Sequence, residues 1–418
     1  MATENKTSAV IAKNEAISLT PKLRFKEFDN DWEIIKFDKY CLFQQGVQVD
    51  VDLQKTEPFE DYVKFLRIEN YTQESKDFRF IPNIYKDSKI INKDDIVVVR
   101  YGATAGFIGR GKKGVLANKL FKIVPNDDFF NNEYLYHYLK SYKAFHFFQT
   151  EMSGGAMPAL SFGIVKALKV PISKLPEQQK IATFLTAVDT KLQQLNSKKS
   201  ALETYKKGAM QQLFSQKIRF KPDVSKPADI ANDSEAISNS KNTENPLKAQ
   251  TSFPDWEEKR LGEVCNSIKS GKSKSNETGL FPLYGSTGII GKCDDFSHDG
   301  FFILIARVGA NAGTINVVND KFGVSDNTLV LICKNTIDVN FIYFYLDFYN
   351  LNRLVFGSGQ PLITGGQLKS LKLNIPSLKE QQKIATYLSA IDTKIENVQT
   401  QITKTQTFKK GLLQQMFV

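Results

Sequence analysis

Apolar residues recur in alternating steps of four and three along two long stretches of the chain. They fall at Ile181, Leu185, Val188, Leu192, Leu195, Leu202, Ala209 and Leu213, and again at Ile384, Leu388, Ile391, Ile395, Val398, Ile402 and Leu412. This is the spacing of a heptad seam, and it predicts one long helix over residues 176–214 and another over 378–418. Polar Lys199, Lys206, Thr405 and Lys409 interrupt the seam, and Gly208 and Gly411 each weaken a helix near its end by about 1 kcal/mol relative to alanine. Pro176 suits a first helical turn, and a helix of this length extends on the order of 55 Å. So long an amphipathic helix must cover its apolar stripe, on the other helix or on its own globular domain. Antiparallel pairing of the two helices is the expectation, because each ends near the start of the next unit and the chain then closes with approximate two-fold symmetry.

Ahead of each long helix the pattern changes. Short β-type runs at residues 96–99, 120–124, 302–305 and 329–333 are separated by Gly, Asn and Asp turns. Residues 133–148 (EYLYHYLKSYKAFHFF) and 340–355 (NFIYFYLDFYNLNRLV) predict aromatic-rich helices whose stripes are assigned to core packing and not to base stacking. Residues 222–250 are rich in Ser, Asn, Asp, Lys and Pro and predict a solvated linker.

The chain is one unit written twice. Residues 177–191 read EQQKIATFLTAVDTK and residues 380–394 read EQQKIATYLSAIDTK, with 12 of 15 positions identical. The same offset of 203 carries KKGAMQQLF (206–214) onto KKGLLQQMF (409–417). At shifted offsets KLRFK (22–26) matches KIRFK (217–221), the Asp-Trp-Glu at 31–33 matches that at 255–257, and RYGATAG (100–106) matches RVGANAG (307–313). A period near 200 residues is a domain duplication and not a solenoid. The helices match closely while residues 34–99 and 258–306 share little side-chain chemistry. The scaffold is held and the surface varies.

At 418 residues the chain accommodates two or three domains, and 56 basic against 45 acidic residues give a net charge of +11. The excess favours a polyanionic partner such as nucleic acid. No apolar run approaches the roughly 20 residues of a membrane span, and no secretory leader is evident, so a cytoplasmic location is expected. Cys41, Cys265, Cys293 and Cys333 are widely spaced and, with the three histidines, give no metal-ligand pattern. Gly106 to Lys113 (GFIGRGKK) approaches a phosphate-binding loop but puts Lys113 where a magnesium-binding hydroxyl belongs, with a turn and strand in place of the required helix. There is no D/N-P-P-Y/F/W, GxSxG or HExxH motif, so catalysis by this chain is not expected.

The two EQQKIAT-x-L-x-A-x-D-T-K helices each follow a variable domain that opens near Asp-Trp-Glu and closes at LKVPISKLPEQQ or LKLNIPSLKEQQ. Over residues 22–418 this resembles the specificity subunit of type I restriction-modification systems, the HsdS family. The resemblance implies an α+β fold with two mixed α/β target recognition domains separated by two long antiparallel coiled-coil helices in a pseudo-two-fold repeat. The implied organisation is a tail (1–21), a first recognition domain (22–175), a spacer helix (176–214), a linker (215–250), a second recognition domain (251–377) and a second spacer helix (378–418). It also implies a bipartite double-stranded DNA target, two modification subunits carrying S-adenosylmethionine, and two restriction subunits using ATP and magnesium. No cofactor or metal is then expected on this chain. The rival reading is a coiled-coil scaffold that joins two proteins without sequence-specific DNA binding.

Helix pairing is assigned to Ile181, Leu185, Val188, Leu192 and Leu195 with Ile384, Leu388, Ile391, Ile395 and Val398. Base readers must come from turns, where Arg and Lys suit guanine and Asn and Gln suit adenine. The candidates are Gln44, Gln45, Arg67, Asn70, Arg100, Thr104, Lys112, Lys113 and Asn118 in the first domain. In the second they are Lys269, Lys272, Lys274, Arg307, Asn311, Asn327 and Gln360. Arg100 and Arg307, in a shared landmark, suit structure or phosphate contact better than base reading. The turns SGGAMP (153–158) and GSGQP (357–361) suit either close approach to DNA or plain tight turns.

Overall fold

The computed structural model describes residues 20–85, 89–152, 158–223, 252–357 and 359–417. Most of the tail, linker residues 224–250, most of the turn SGGAMP and Ser358 of GSGQP lie outside the described residues. The chain forms two compact units, one of residues 1–196 with 401–418 and the other of residues 197–400. The division falls inside both long helices, not at their ends.

In the first unit a short antiparallel pair, Glu33–Lys36 with Lys169–Ile172, closes the domain at its base. Above it lies an antiparallel sheet in the order Cys41–Gln45, Leu120–Pro125, Ile96–Val99, Ile108–Gly109. A second sheet runs Arg79–Pro82, Tyr62–Leu66, Gly114–Leu116, Ile90–Ile91, with its central pair parallel. The second unit repeats the plan with Glu257–Arg260 on Lys372–Ile375. Its main sheet is continuous, in the order Cys265–Ser270, Thr328–Cys333, His298–Ala306, Ile315–Val324, Phe281–Gly285, Gly288–Cys293. Unbroken Ile315–Val324 does the work of two strands in the first unit, Ile108–Gly109 and Gly114–Leu116, which are separated at residues 110–113. The near-match to a phosphate-binding loop is that interruption, and a strand follows it.

The predicted aromatic helices are each broken. Residues 133–148 split into Asn132–Leu139 and Tyr142–Glu151, because the Ser141 hydroxyl accepts the Ala144 N–H and starts a new helix. Helix Val339–Tyr349 ends at Asn350, which takes the left-handed conformation (φ 61°) and leads into a 3-10 turn, Leu351–Leu354. Most of their rings are core, as expected, but Tyr142, Phe145 and Phe348 are exposed. Trp32 packs edge-on against Tyr134 in the first unit, and Trp256 against Phe341 in the second.

The long helices span Leu175–Phe214 and Leu378–Gln415. Within the first unit, Lys409 bonds Asp189, and Ile181 and Leu185 share a core with Leu412, Met416 and Phe417. Within the second, Lys206 bonds Asp392 at 2.7 Å, and Ile384, Leu388 and Ile391 share a core with Met210, Leu213 and Phe214. Each helix start thus meets the other helix's end, an antiparallel arrangement. The pairing is not a bare two-helix seam. The same residues are also covered by their own globular domain, Ile181 sharing a core with Val170 and Ile384 with Leu373. Val188, Leu192 and Ile395 are half-buried, while Leu195 and Val398 are buried.

Candidate nucleic-acid interface

Each unit presents an edge of turns at the ends of its sheets, and the turns are tied together by the same backbone bonds in both. In the first, Arg100 N–H donates to Lys119 O, Leu160 N–H to Arg100 O, Gly102 N–H to Pro158 O, and Gly46 N–H to Leu120 O. In the second, Arg307 N–H donates to Asn327 O, Ile363 N–H to Arg307 O, Gly309 N–H to Pro361 O, and Gly271 N–H to Thr328 O. Ala117 N–H to Leu66 O has its counterpart in Ser325 N–H to Tyr284 O. The frame is shared bond for bond while its side chains differ.

Gly46 and Gly271 hold equivalent places. A Cβ at Gly46 would lie 2.1 Å from Ala117 O, and one at Gly271 would lie 2.0 Å from Val324 O. Only glycine lets the two turns pack this closely. Sequence reading missed both, although each follows a candidate-bearing strand and heads a polar turn (GVQ and GKS).

Among the first-domain candidates, Gln45 donates to Asn118 O at 3.1 Å, and Asn118 donates to Gln48. Gln44 is half-buried beside them, with a buried carbonyl oxygen that has no partner among the described residues. Arg100 lies under this edge, its guanidinium over the rings of Tyr101 (4.9 Å) and Phe162 (4.8 Å). Arg67 pairs with Glu69 at 2.9 Å and donates to Asp77 O. Asn70 is fully buried. Its amide donates to Ser75 O and Asp77 O, and its carbonyl accepts Arg67 N–H, so it holds the loop and, contrary to expectation, offers no free amide to a base. Lys112 and Lys113 precede strand Gly114–Leu116 and so lie at the end away from Asn118, with Lys112 near the rings of Tyr71 and Phe78. Thr104 is exposed and lines a 660 Å³ cavity with Phe107, Tyr142 and Phe145.

In the second domain the candidates gather more closely. Lys269, Lys272 and Lys274 are exposed on Cys265–Ser270 and the turn after it, and Asn327 is exposed on the turn bonded to that strand's end. Asn327 O accepts from Ser286 Oγ at 2.9 Å as well as from Arg307 N–H. Arg307 is half-buried, and Asn311 and Gln360 are exposed on adjoining turns. Among the described residues no cluster of His, Cys, Asp or Glu could hold a metal, and no helix is long and apolar enough to cross a membrane.

A family model for the type I restriction modification DNA specificity domain matches this chain twice, at residues 52–204 and 254–405. The chain belongs to this family. It is 25% identical over 414 residues to the type I restriction enzyme MjaVIII specificity subunit of Methanocaldococcus jannaschii, covering 92% of this chain and 91% of that one. It is 24% identical over 398 residues to the StySPI specificity subunit of Salmonella potsdam, covering 85% and 81%. The fold is that of the crystal structure of the type I restriction-modification S subunit from M. genitalium, with a TM-score of 0.63 at 20% identity over 96% of this chain and 99% of that one.

In this specificity subunit the repeated EQQ motif joins domain to helix. Glu177 accepts from Nε and Nη2 of Arg24 (2.7 and 2.8 Å), and Glu380 from Nε and Nη2 of Arg219 (3.1 and 2.8 Å). Gln178 accepts Asn131 N–H and donates to Ser173 O, and Gln381 accepts Asp338 N–H and donates to Pro376 O. These glutamines dock the helix starts onto the aromatic helices of their domains. The Asp of the repeated D-T-K supplies the partner of Lys409 or Lys206, which explains the two lysines that interrupt the seam. The KLRFK and KIRFK landmarks signalled Arg24 and Arg219, but nothing in spacing named their acidic partners.

One contact breaks the symmetry. His137 is fully buried, its Nε2 3.2 Å from Thr186 Oγ1 and its Nδ1, without a hydrogen-bond partner among the described residues, 3.9 Å from Asp189. Burial pushes its pKa down to about 3; the Asp189 charge opposes the shift, and Lys409, Arg110 and Lys140 reinforce it. The matching residue is Phe344, with Lys206 Nζ 5.0 Å from its ring centroid.

Proposed function

We propose that each domain of this specificity subunit reads one half of a bipartite double-stranded DNA target. The paired helices set the spacing of the halves and dock two modification subunits, and the chain itself catalyses nothing. Methyl transfer from S-adenosylmethionine then belongs to the modification subunits, and ATP-driven cleavage to two restriction subunits. The observation that supports this most is the contrast between a backbone edge repeated bond for bond and the unlike side chains it carries, Asn118 and Lys119 against Asp326 and Asn327. Equal partners require equal docking surfaces, and the two helix motifs match; unlike half-sites require unlike reading surfaces, and the domains differ. A net charge of +11 adds sequence-independent attraction to phosphates.

The test is an exchange of residues 27–175 for the equivalent domain of another specificity subunit, followed by mapping of methylated adenines in a host carrying the assembled complex. One half of the methylated sequence is expected to change while the other stays. Changes in both halves, or in neither, would refute modular reading. Equal binding to all duplexes would favour the protein scaffold without DNA recognition.

A further inference from the structure

Resting on that reading of function, the structure assigns a base-reading role to Asp326, as an acceptor for the exocyclic amino group of a cytosine in the half-site read by the second domain. Asp326 is exposed and forms no ion pair or side-chain hydrogen bond among the described residues. It sits at the apex of a turn whose backbone is fixed on every side. Ser325 N–H donates to Tyr284 O at 2.9 Å, Arg307 N–H to Asn327 O at 2.9 Å, and Gly271 N–H to Thr328 O at 3.1 Å. Ser273 N–H donates to Val324 O at 2.9 Å, and Gly271 has no room for a side chain against Val324. A side chain on so rigid a turn is aimed by the fold, which is what discrimination between bases requires.

Charge makes the position informative. The adjoining turn carries exposed Lys272 and Lys274, with Lys269 on the strand before it and Arg307 bonded to the next residue, Asn327. An unpaired carboxylate on a surface built to meet phosphates opposes binding unless it gains a specific donor. In the major groove, cytosine N4 offers that donor to Asp or Glu. The first domain places Asn118 at the equivalent apex, where Leu120 N–H donates to Ala117 O as Thr328 N–H donates to Ser325 O. Its side chain is joined to that of Gln48. An amide there pairs with adenine, which presents an acceptor and a donor side by side. The two apices are one reading position carrying two different chemistries.

The experiment uses the full complex of this chain with its modification subunits and S-adenosylmethionine, methylating a duplex library randomised across both half-sites. The chain is tested as wild type, Asp326→Ala, Asp326→Asn, Asn118→Asp, and Asp299→Asn as a control at the far end of strand 298–306. Asp326→Ala is expected to lower the preference for cytosine at one base pair of the second half-site by about 5- to 150-fold, with every other position unchanged. Asp326→Asn is expected to move that preference toward adenine, and Asn118→Asp to move one position of the first half-site toward cytosine. A uniform rise in methylation across all sequences for Asp326→Ala, with an unaltered sequence profile, would overturn the assignment, since the carboxylate would then act only on phosphates. A shift caused equally by Asp299→Asn would overturn it too. A wild-type complex that methylates every duplex alike would instead overturn the reading of function, a result distinct from either. Matching thermal unfolding of wild type and variants separates lost folding from lost reading.

Discussion

Replacing His137 with phenylalanine, the residue found at the matching position 344, isolates the energetic consequence of burying an imidazole beside Asp189 and Lys409. The folded pKa is depressed to about 3, against 6.5 for an unperturbed histidine. The unfolded chain therefore binds a proton that the folded chain refuses. Stability from this residue is complete above pH 6.5 and is lost progressively as pH falls toward 3. At pH 5 the linkage amounts to about 2 kcal/mol, and at pH 7.5 it is close to zero. His137→Phe should remove this pH dependence while sparing Thr186, whose hydroxyl also donates to Glu133. It also removes a buried ring nitrogen that has no partner among the described residues, so the variant should be at least as stable as the wild type at neutral pH. The two tryptophans make the assay local, because Trp32 reports on the core containing His137's neighbours and Trp256 on the other unit. Urea unfolding followed by fluorescence, in Trp256→Phe and Trp32→Phe backgrounds, should show the Trp32 transition gaining about 2 kcal/mol at pH 5 over pH 7.5 relative to wild type. The Trp256 transition should not move. Equal pH dependence in wild type and His137→Phe would refute the reasoning.

Other perturbations give separable outcomes. Arg24→Met leaves Glu177, only 2% exposed, without its cation, and should destabilise the first unit by about 3–5 kcal/mol in the same fluorescence assay, with Arg219→Met doing so for the second. Gly46→Ala forces a Cβ into Ala117 O, and should degrade sequence preference in the first half-site alone, read from the methylated library; Gly271→Ala should do so in the second alone. Leu185→Asp and Leu388→Asp each place a charge in a fully buried site, at a cost of at least about 4 kcal/mol, and should abolish assembly with modification subunits in size-exclusion chromatography.

The long helices were legible because a heptad seam is a repeating signal, and the duplication supplied its own control. Even the lysines that spoiled the seam, Lys206 and Lys409, were visible as exceptions. Their resolution was not, since Asp392 and Asp189 lie far away in sequence and become partners only once the helices run antiparallel. The aromatic helices were legible as apolar stripes, but Ser141 starts a new helix and Asn350 ends one through cap geometry, which periodicity does not register. Residue type alone misjudged Asn70, whose three bonds to loop backbone consume the amide that a base would need. Gln45, at the end of strand 41–45, and Asn118, on the turn bonded to it, lie at one edge of the first domain, and Asn327 lies on the matching turn of the second. Charge alone does not separate Lys112 and Lys113, which lie at the opposite end of strand 114–116 from Asn118.

The last turns of one long helix complete the domain that the other helix begins, through Leu412, Met416 and Phe417 in one core and Met210, Leu213 and Phe214 in the other. Leu23 N–H donates to Gln415 O across the first unit, while the equivalent bond of the second, Ile218 N–H to Gln212 O, lies within the turn that follows its helix. A gene fragment encoding a single repeat would therefore yield a chain with an unfinished core and, on its own helix, the very piece required to finish a twin. Such a half-length product is expected to self-associate, and a pair of identical reading heads would then select a palindrome.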